Sequence, residues 1–528
     1  MKINSLKVII TIFVLLVIVG IIFFSLDNIK DKEEESQEIS YKIVNMITNL
    51  RLGVSDYDSM HPYITNNREI IYINQLIFEP LLTIAENYKI TTCLAKEWSK
   101  LNETTYLVKL NENTKWQDDS EFTSKDVEFS INQLQKLKSS VYYENVKNIK
   151  NVEIIDDYTI RLELIEEELF FEYNLIFPII SSKQYKNIDI ESSKKIPLGT
   201  GKYKISAINK EKIELEKNNK YRDIDVEDSN FKTISINIYE SSGKVYNAFK
   251  LGSIDLIHTS NKQIEEYIGT MGYGKRSYAN REYDYLALNC ENSILQFKEV
   301  RQAINKIIDK EKIIVSVLEN KCTVANYPIS EKSYLLEDRV YKKNNTEKAK
   351  EILKNAGWKF VYGLWQKEIN GVTKTINIDL AVSKNNTQRI KVAEEIKKQL
   401  EAVGIKINIV KISETQYANY LNNHEYEMLL TGIYSPISPN LSEILGKNNL
   451  ANYENEEVQS ILNDLKSIND DNTIKQKYNR IFEIYEDEIP YIGLYCNNDL
   501  IAYSTNLLGD INPNWYGIFY NFSNWYRQ

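Results

Sequence analysis

From Val8 to Leu26 the chain reads VIITIFVLLVIVGIIFFSL, 19 residues without a charge, and no later stretch repeats the pattern. An uncharged helix of about 20 residues spans the hydrocarbon core of a bilayer. Lys2 and Lys7 precede the run; Asp27, Asp31, Glu33, Glu34, Glu35 and Glu38 follow it, interrupted by Lys30 and Lys32. Positive charge stays cytoplasmic, so everything from Asp27 onward is expected outside. The run is longer than the roughly 7–15 apolar residues of a signal peptide, and no A-x-A-like cleavage site follows. Nor does a cysteine follow for a lipid anchor. The expectation is a retained single-pass anchor over 1–26, a polar tether over 27–46, and an exported remainder.

That remainder is large. A chain of 528 residues makes about three lobes at roughly 100–200 residues each. Its 65 Lys+Arg against 74 Asp+Glu leave a net charge of −9, which argues against nucleic acid as a partner. The three histidines (His61, His258, His424) are scattered, and the four cysteines (Cys93, Cys290, Cys322, Cys496) form no CxxC pair. No metal or cofactor is expected from such a pattern. GxSxG and HExxH are absent, so no enzyme activity is expected either.

Strand and helix periods alternate, the pattern of an α/β protein. In the clearest unit Ile376, Ile378, Leu380 and Val382 alternate as in a strand. Ile390, Ala393, Ile396, Leu400 and Val403 then recur at helical spacing; Gly404 stops the helix, and Ile405, Ile407 and Ile409 resume period two. Tyr246–Ile257 reads as a helix-to-strand step stopped by Gly252, and Thr346–Ala356 as a helix closed by Gly357. Val300–Leu318 reads as one longer amphipathic helix. Tyr158–Leu164 and Lys232–Tyr239 read as strands.

The order of short motifs adds more. Asp58-Ser-Met-His-Pro-Tyr63 is followed by Leu76-Ile-Phe-Glu-Pro-Leu-Leu82, Leu94-Ala-Lys-Glu-Trp98, and a segment opening at Trp116 in which Thr123 and Asp126 form a helix-capping pair. Next come Pro197-Leu-Gly-Thr-Gly-Lys-Tyr203, Ala248-Phe-Lys-Leu-Gly-Ser-Ile-Asp255, Asn289, and Val300-Arg-Gln-Ala-Ile304. This series resembles the oligopeptide-, dipeptide- and nickel-binding proteins of ABC importers, solute-binding family 5, across roughly residues 47–528. The resemblance implies a two-lobed periplasmic-binding-protein-like fold (class II) with an extra inserted domain. Lobe I would comprise 47–84, 190–283 and 496–528, the inserted domain 85–189, and lobe II 284–495. The implied function is a monomeric, membrane-tethered receptor. It closes on a peptide or peptide-like solute between hinged lobes and delivers it to ABC permease subunits. A sensor or protein-interaction accessory built on the same fold is the alternative.

Relatives that bind free peptides supply terminal charges from a loop that corresponds here to Tyr426–Asn440. On that alignment Leu430 stands in place of an Arg, Ile433 in place of a Trp, and Pro436 in place of an Asp. A carboxylate pairing with a ligand's α-ammonium is a strong contact once desolvated. Its replacement by Pro436 points to a ligand without a free amino terminus, or to a more apolar or modified peptide. The residues expected to bind ligand are Tyr72, Tyr285, Asn289, Tyr434 and Ser435. Trp116 is expected to pack the inserted domain, and His61 and His258 to be structural.

Overall fold

The computed structural model describes residues 47–222, 230–337, 339–340, 343–468 and 470–528. The expected anchor Val8–Leu26 and the tether 27–46 lie outside those residues. Among the described residues no helix is long and apolar enough to cross a membrane.

Local periodicity becomes local structure as expected in most places. Strands Asn377–Ser383 and Lys406–Ile412 pair in parallel, joined by helix Thr387–Glu401. That helix buries Val392, Ala393, Ile396 and Leu400, one stripe of its surface. Gly404 follows at φ +88°, a left-handed conformation that a Cβ would strain. Helix Ser242–Lys250 likewise leads through Gly252 into strand Leu256–Thr259.

The reading of Val300–Leu318 as one helix is corrected. The structure breaks it into Lys298–Ile307 and Lys310–Ser316. Ile308 and Asp309 take extended backbone angles, and the Asp309 carboxylate accepts the Lys312 N–H at 2.9 Å. Hydrophobic period alone does not register such an internal cap, because the apolar stripe resumes on the same face after it.

Half of the strands join one large sheet. Its order across the molecule is Lys406–Ile412, Asn377–Ser383, Met428–Tyr434, Tyr273–Leu288, Tyr491–Ser504, Leu256–Thr259, Asn49–Ser55, Thr233–Tyr239, Lys212–Lys217 and Tyr203–Ile208. Two members are long. Tyr273–Leu288 and Tyr491–Ser504 run antiparallel through the middle and link the two halves of the sheet. Their ladder slips midway: Ala279 faces Asn498, but the next pair is Tyr283 with Cys496, so residues 280–282 bulge out. A bulge bends the strand and re-aims its side chains. Beyond it, alternation sends Tyr283, Tyr285 and Ala287 into one core and Leu286 and Leu288 into another. The strand therefore has two buried faces, called front and back below.

A separate antiparallel sheet lies on the front side. Its strands run in the order Ala95–Asn102, Thr105–Leu110, Thr159–Leu164 and Ile149–Asp156. Helix Ser124–Leu134 covers it, and the Asp126 carboxylate accepts the Thr123 N–H at 2.9 Å, the expected cap. The same carboxylate accepts from Trp116 Nε1 at 3.3 Å and from the Ser182 N–H at 2.8 Å. Trp116 is fully buried there as a packing residue.

Candidate ligand-binding cleft

The bulge at 280–282 opens onto two adjoining cavities. The larger, about 610 Å³, is lined by Tyr72, Glu79, Tyr142, Tyr434 and Tyr516, among others. The smaller, about 220 Å³, is lined by Tyr278, Tyr327, Ser435, Pro436 and Trp515, among others. Arg281, Ile437 and Trp515 line both. The volume and aromatic lining are those of a site for a small organic ligand.

Three of the five residues expected from sequence come together here. Tyr72 is 4% exposed on helix Arg68–Asn74, with its hydroxyl accepting from Arg68 Nε at 3.2 Å. Tyr434 is 63% exposed at the end of its strand, and Ser435 follows in the loop. The other two line neither cavity. Tyr285 is 1% exposed in the front core, stacked on Tyr283 and edge-on to Tyr491. Asn289 is a tie between segments: its Nδ2 donates to the carbonyls of Tyr426 at 2.9 Å and His424 at 3.3 Å. Period two places Tyr285 on the front face correctly; what it does not show is that neighbouring chain covers that face.

The loop with the altered charges splits in the same way. Pro436 lines the smaller cavity. Leu430 pairs with Leu286 and is fully buried in the back core, facing away from the cleft. Of these two positions only Pro436 lines a cavity.

Carboxylates in the cleft are already engaged. Glu79 holds Arg222 in a two-pronged pair, at 2.6 and 2.9 Å, and accepts the Tyr221 hydroxyl at 3.0 Å. Burial and the adjacent Glu79 push the Cys93 thiol well above its ordinary range, leaving it a neutral wall of the larger cavity. Glu331 accepts the Asn326 N–H at the rim of the smaller cavity. Arg68 pairs with Asp499, which is fully buried and also accepts from Asn280 Nδ2 at 3.0 Å.

The two histidines expected to be structural differ. His258 lies 3.4 Å from Glu69 and 3.6 Å from Asp499. Burial works against its charged form, but the two acids outweigh burial and its pKa is raised. His61 has no acid beside it, and burial lowers its pKa to about 3. Its Nδ1 accepts the Tyr63 N–H at 3.2 Å. Among the described residues no group of His, Cys, Asp and Glu has the arrangement of a metal site.

Sequence reasoning missed Arg281 and Trp515. Arg281 sits in the polar triplet Asn280-Arg281-Glu282, which interrupts an otherwise alternating strand. That local break in period is the signal that could have marked the bulge.

Comparison with known proteins decides the family. The model for "Bacterial extracellular solute-binding proteins, family 5 Middle" matches residues 89–449, more than half of the chain. The chain belongs to this family. The oligopeptide-binding protein AppA of Bacillus subtilis is 24% identical over 462 residues, covering 83% of this chain and 84% of that protein. Among solved structures, the murein tripeptide-binding protein MppA in its unliganded open form superposes with a TM-score of 0.76 at 16% identity, covering 91% of this chain and 97% of that one. A nickel ABC transporter protein from Bacillus halodurans gives 0.74 at 18% identity, covering 89% and 98%. The fold is thus the two-lobed α/β fold of extracytoplasmic binding proteins. The family consists of substrate-binding receptors of importers rather than enzymes.

Proposed function

We propose that this chain is the extracytoplasmic receptor of an ABC importer, held at the membrane through Val8–Leu26. In this reading it takes a peptide-like ligand whose amino terminus is blocked or absent. The halves that close on the ligand are 47–84 with 190–283 and 496–528, and 284–495; residues 85–189 form an inserted domain that widens one wall. Rotation about the two long central strands would close them. The observation that carries the ligand class is the charge of the cleft. Pro436 stands where a free-peptide receptor has an acid, and Glu79 and Glu331 are already engaged by protein donors. An α-ammonium would enter without a carboxylate to receive it, at a cost of several kcal/mol in desolvation.

The test is native mass spectrometry of the full chain in detergent, followed by denaturing release of bound species. The expected result is a copurified peptide-like solute that raises the melting temperature when added back. A bare protein, unshifted by mixed pools of free and N-acetylated peptides, would overturn the reading in favour of a sensor or accessory role. N-terminal analysis of the native protein tests the tether: a chain starting near residue 27 would remove the anchor.

A further inference from the structure

Among the described residues Arg281 is a charged side chain without a counter-ion. Its Nε donates to the Ser435 carbonyl at 2.7 Å, and its guanidinium lies 4.5 Å from the Tyr434 ring centre and 5.3 Å from that of Trp515. Among the described residues neither of its Nη atoms donates a hydrogen bond, and no carboxylate lies within ion-pairing distance. The other enclosed arginines differ: Arg51, Arg68, Arg222, Arg301, Arg339, Arg389 and Arg527 each reach an Asp or Glu. A guanidinium cannot shed its proton to escape burial. Burial pulls its pKa below the ordinary value, while Tyr434 and Tyr72 oppose that pull only weakly.

Its position is equally particular. The bulge at 280–282 takes Arg281 out of the ladder with Tyr491–Ser504 while its carbonyl still accepts the Ser435 N–H at 2.8 Å, and it lines both cavities. Tyr434 comes from a strand of one half of the sheet and Trp515 from the C-terminal segment, so rings from two distant segments flank the guanidinium. With Nε taken by Ser435, the edge left free carries two parallel N–H donors. That edge matches the two oxygens of a carboxylate.

From this geometry we infer that Arg281 is the anion-binding residue of the cleft and that the natural ligand presents a carboxylate to it. The inference rests on the receptor reading above and narrows it: the ligand is an amino-blocked, carboxylate-bearing peptide or a similar amphipathic organic acid. Aromatic walls take its apolar body, and the free Nη pair takes its acid group. The absence of a counter-ion is then what makes the site selective. An arginine already paired to an internal acid would have to break that pair before accepting a ligand.

The experiment uses the full chain in detergent and two probe pools of N-acetylated tripeptides with the same side chains, one ending in a free carboxylate and one in an amide. The expected result is retention of the acid pool, with its best members binding at least tenfold more tightly than their amides. Arg281→Gln should abolish that preference and Arg281→Lys should restore part of it, both melting within a few degrees of the parent. Equal binding of acids and amides, or a preference that survives Arg281→Gln, would overturn the inference while leaving the receptor reading intact. Binding of neither pool would overturn both.

Discussion

Arg389 and Arg281 stand at the same strand of the sheet, on opposite sides, in opposite circumstances. Behind the sheet, Arg389 from helix Thr387–Glu401 grips Asp284 through Nε at 3.0 Å and Nη2 at 2.7 Å, and Tyr495 adds its hydroxyl at 2.7 Å. Three residues earlier on that strand, Arg281 faces the cleft with aromatic rings and one carbonyl. A protein can stabilise an enclosed cation with an internal acid or leave it for something else to neutralise. The first choice builds a joint and the second builds a binding site. The histidines follow the same rule: with Glu69 and Asp499 alongside, the pKa of His258 is raised, while His61, without an acid, is kept neutral.

The largest effect is expected from breaking the back-face joint. Asp284→Asn leaves Arg389 and Tyr495 facing an amide, and removing one partner of a buried ion pair costs on the order of 3 kcal/mol. The denaturant midpoint should fall accordingly. The double variant Asp284→Asn, Arg389→Gln should recover part of the loss, since the stranded charge goes with it. If the single variant is as stable as the parent, the joint does not stabilise the fold and the contrast between the two faces fails.

The histidine pair sharpens the comparison through pH. His61 has a folded pKa of about 3 against about 6.5 when unfolded. Between those values the unfolded chain holds a proton that the folded chain lacks. Stability from His61 is therefore present above pH 6.5 and is lost as pH falls towards 3, by up to about 5 kcal/mol. His258, with its raised value, gives the reverse slope: its contribution is complete below pH 6.5 and lost as pH rises through the folded pKa. Urea midpoints measured from pH 4 to 8 should lose part of the acid slope in His61→Gln and part of the alkaline slope in His258→Gln. Slopes unchanged by either substitution would mean that burial at His61 and the acids beside His258 do not govern these bases.

Half of this comparison was legible in the sequence. The unit from Asn377 to Ile412 follows from period two, period 3.6 and a glycine stop, all local quantities, and it positions Arg389 on its helix. The family resemblance brought Tyr72, Tyr434 and Ser435 to the cleft. Arg281 remained hidden because its meaning is non-local. The bulge depends on the register with Tyr491–Ser504, more than 200 residues away, and the lack of a counter-ion is a fact about every described acid at once. That Tyr285 and Asn289 line neither cavity was hidden for the same reason: alternation assigns a face, and only the assembled cores show which face is covered.

A smaller effect is expected where the two halves of the sheet touch behind the long central strands. Lys262 Nζ donates to Gln388 Oε1 at 2.5 Å and to Asn497 Oδ1 at 2.6 Å, while Gln388 Nε2 donates to the same Asn497 oxygen at 3.1 Å. Lys262 follows strand Leu256–Thr259 and Gln388 opens helix Thr387–Glu401, so the contact joins the two halves of the sheet. It is partly exposed, and Lys262→Met should lower stability by only about 1 kcal/mol in a denaturant titration. A loss as large as that of Asp284→Asn would make the bridge part of the joint rather than a contact between halves.

The smallest stability effect is expected where the binding effect is greatest. Arg281→Gln removes two ring contacts worth about 0.5–1 kcal/mol each and weakens one hydrogen bond worth about 1.5–3. Against that, it removes the cost of keeping a guanidinium enclosed without an acid, which is also several kcal/mol. The shorter amide can still donate to the Ser435 carbonyl. The terms oppose one another, and the net change should stay within about 1 kcal/mol, read as an unfolding midpoint close to that of the parent. A residue retained for stability would behave as Asp284 does; one retained for a ligand should be nearly silent until the ligand arrives. If Arg281→Gln instead destabilises as strongly as Asp284→Asn, then Tyr434, Trp515 and Ser435 already satisfy the guanidinium, and the two faces of the hinge are built on the same principle.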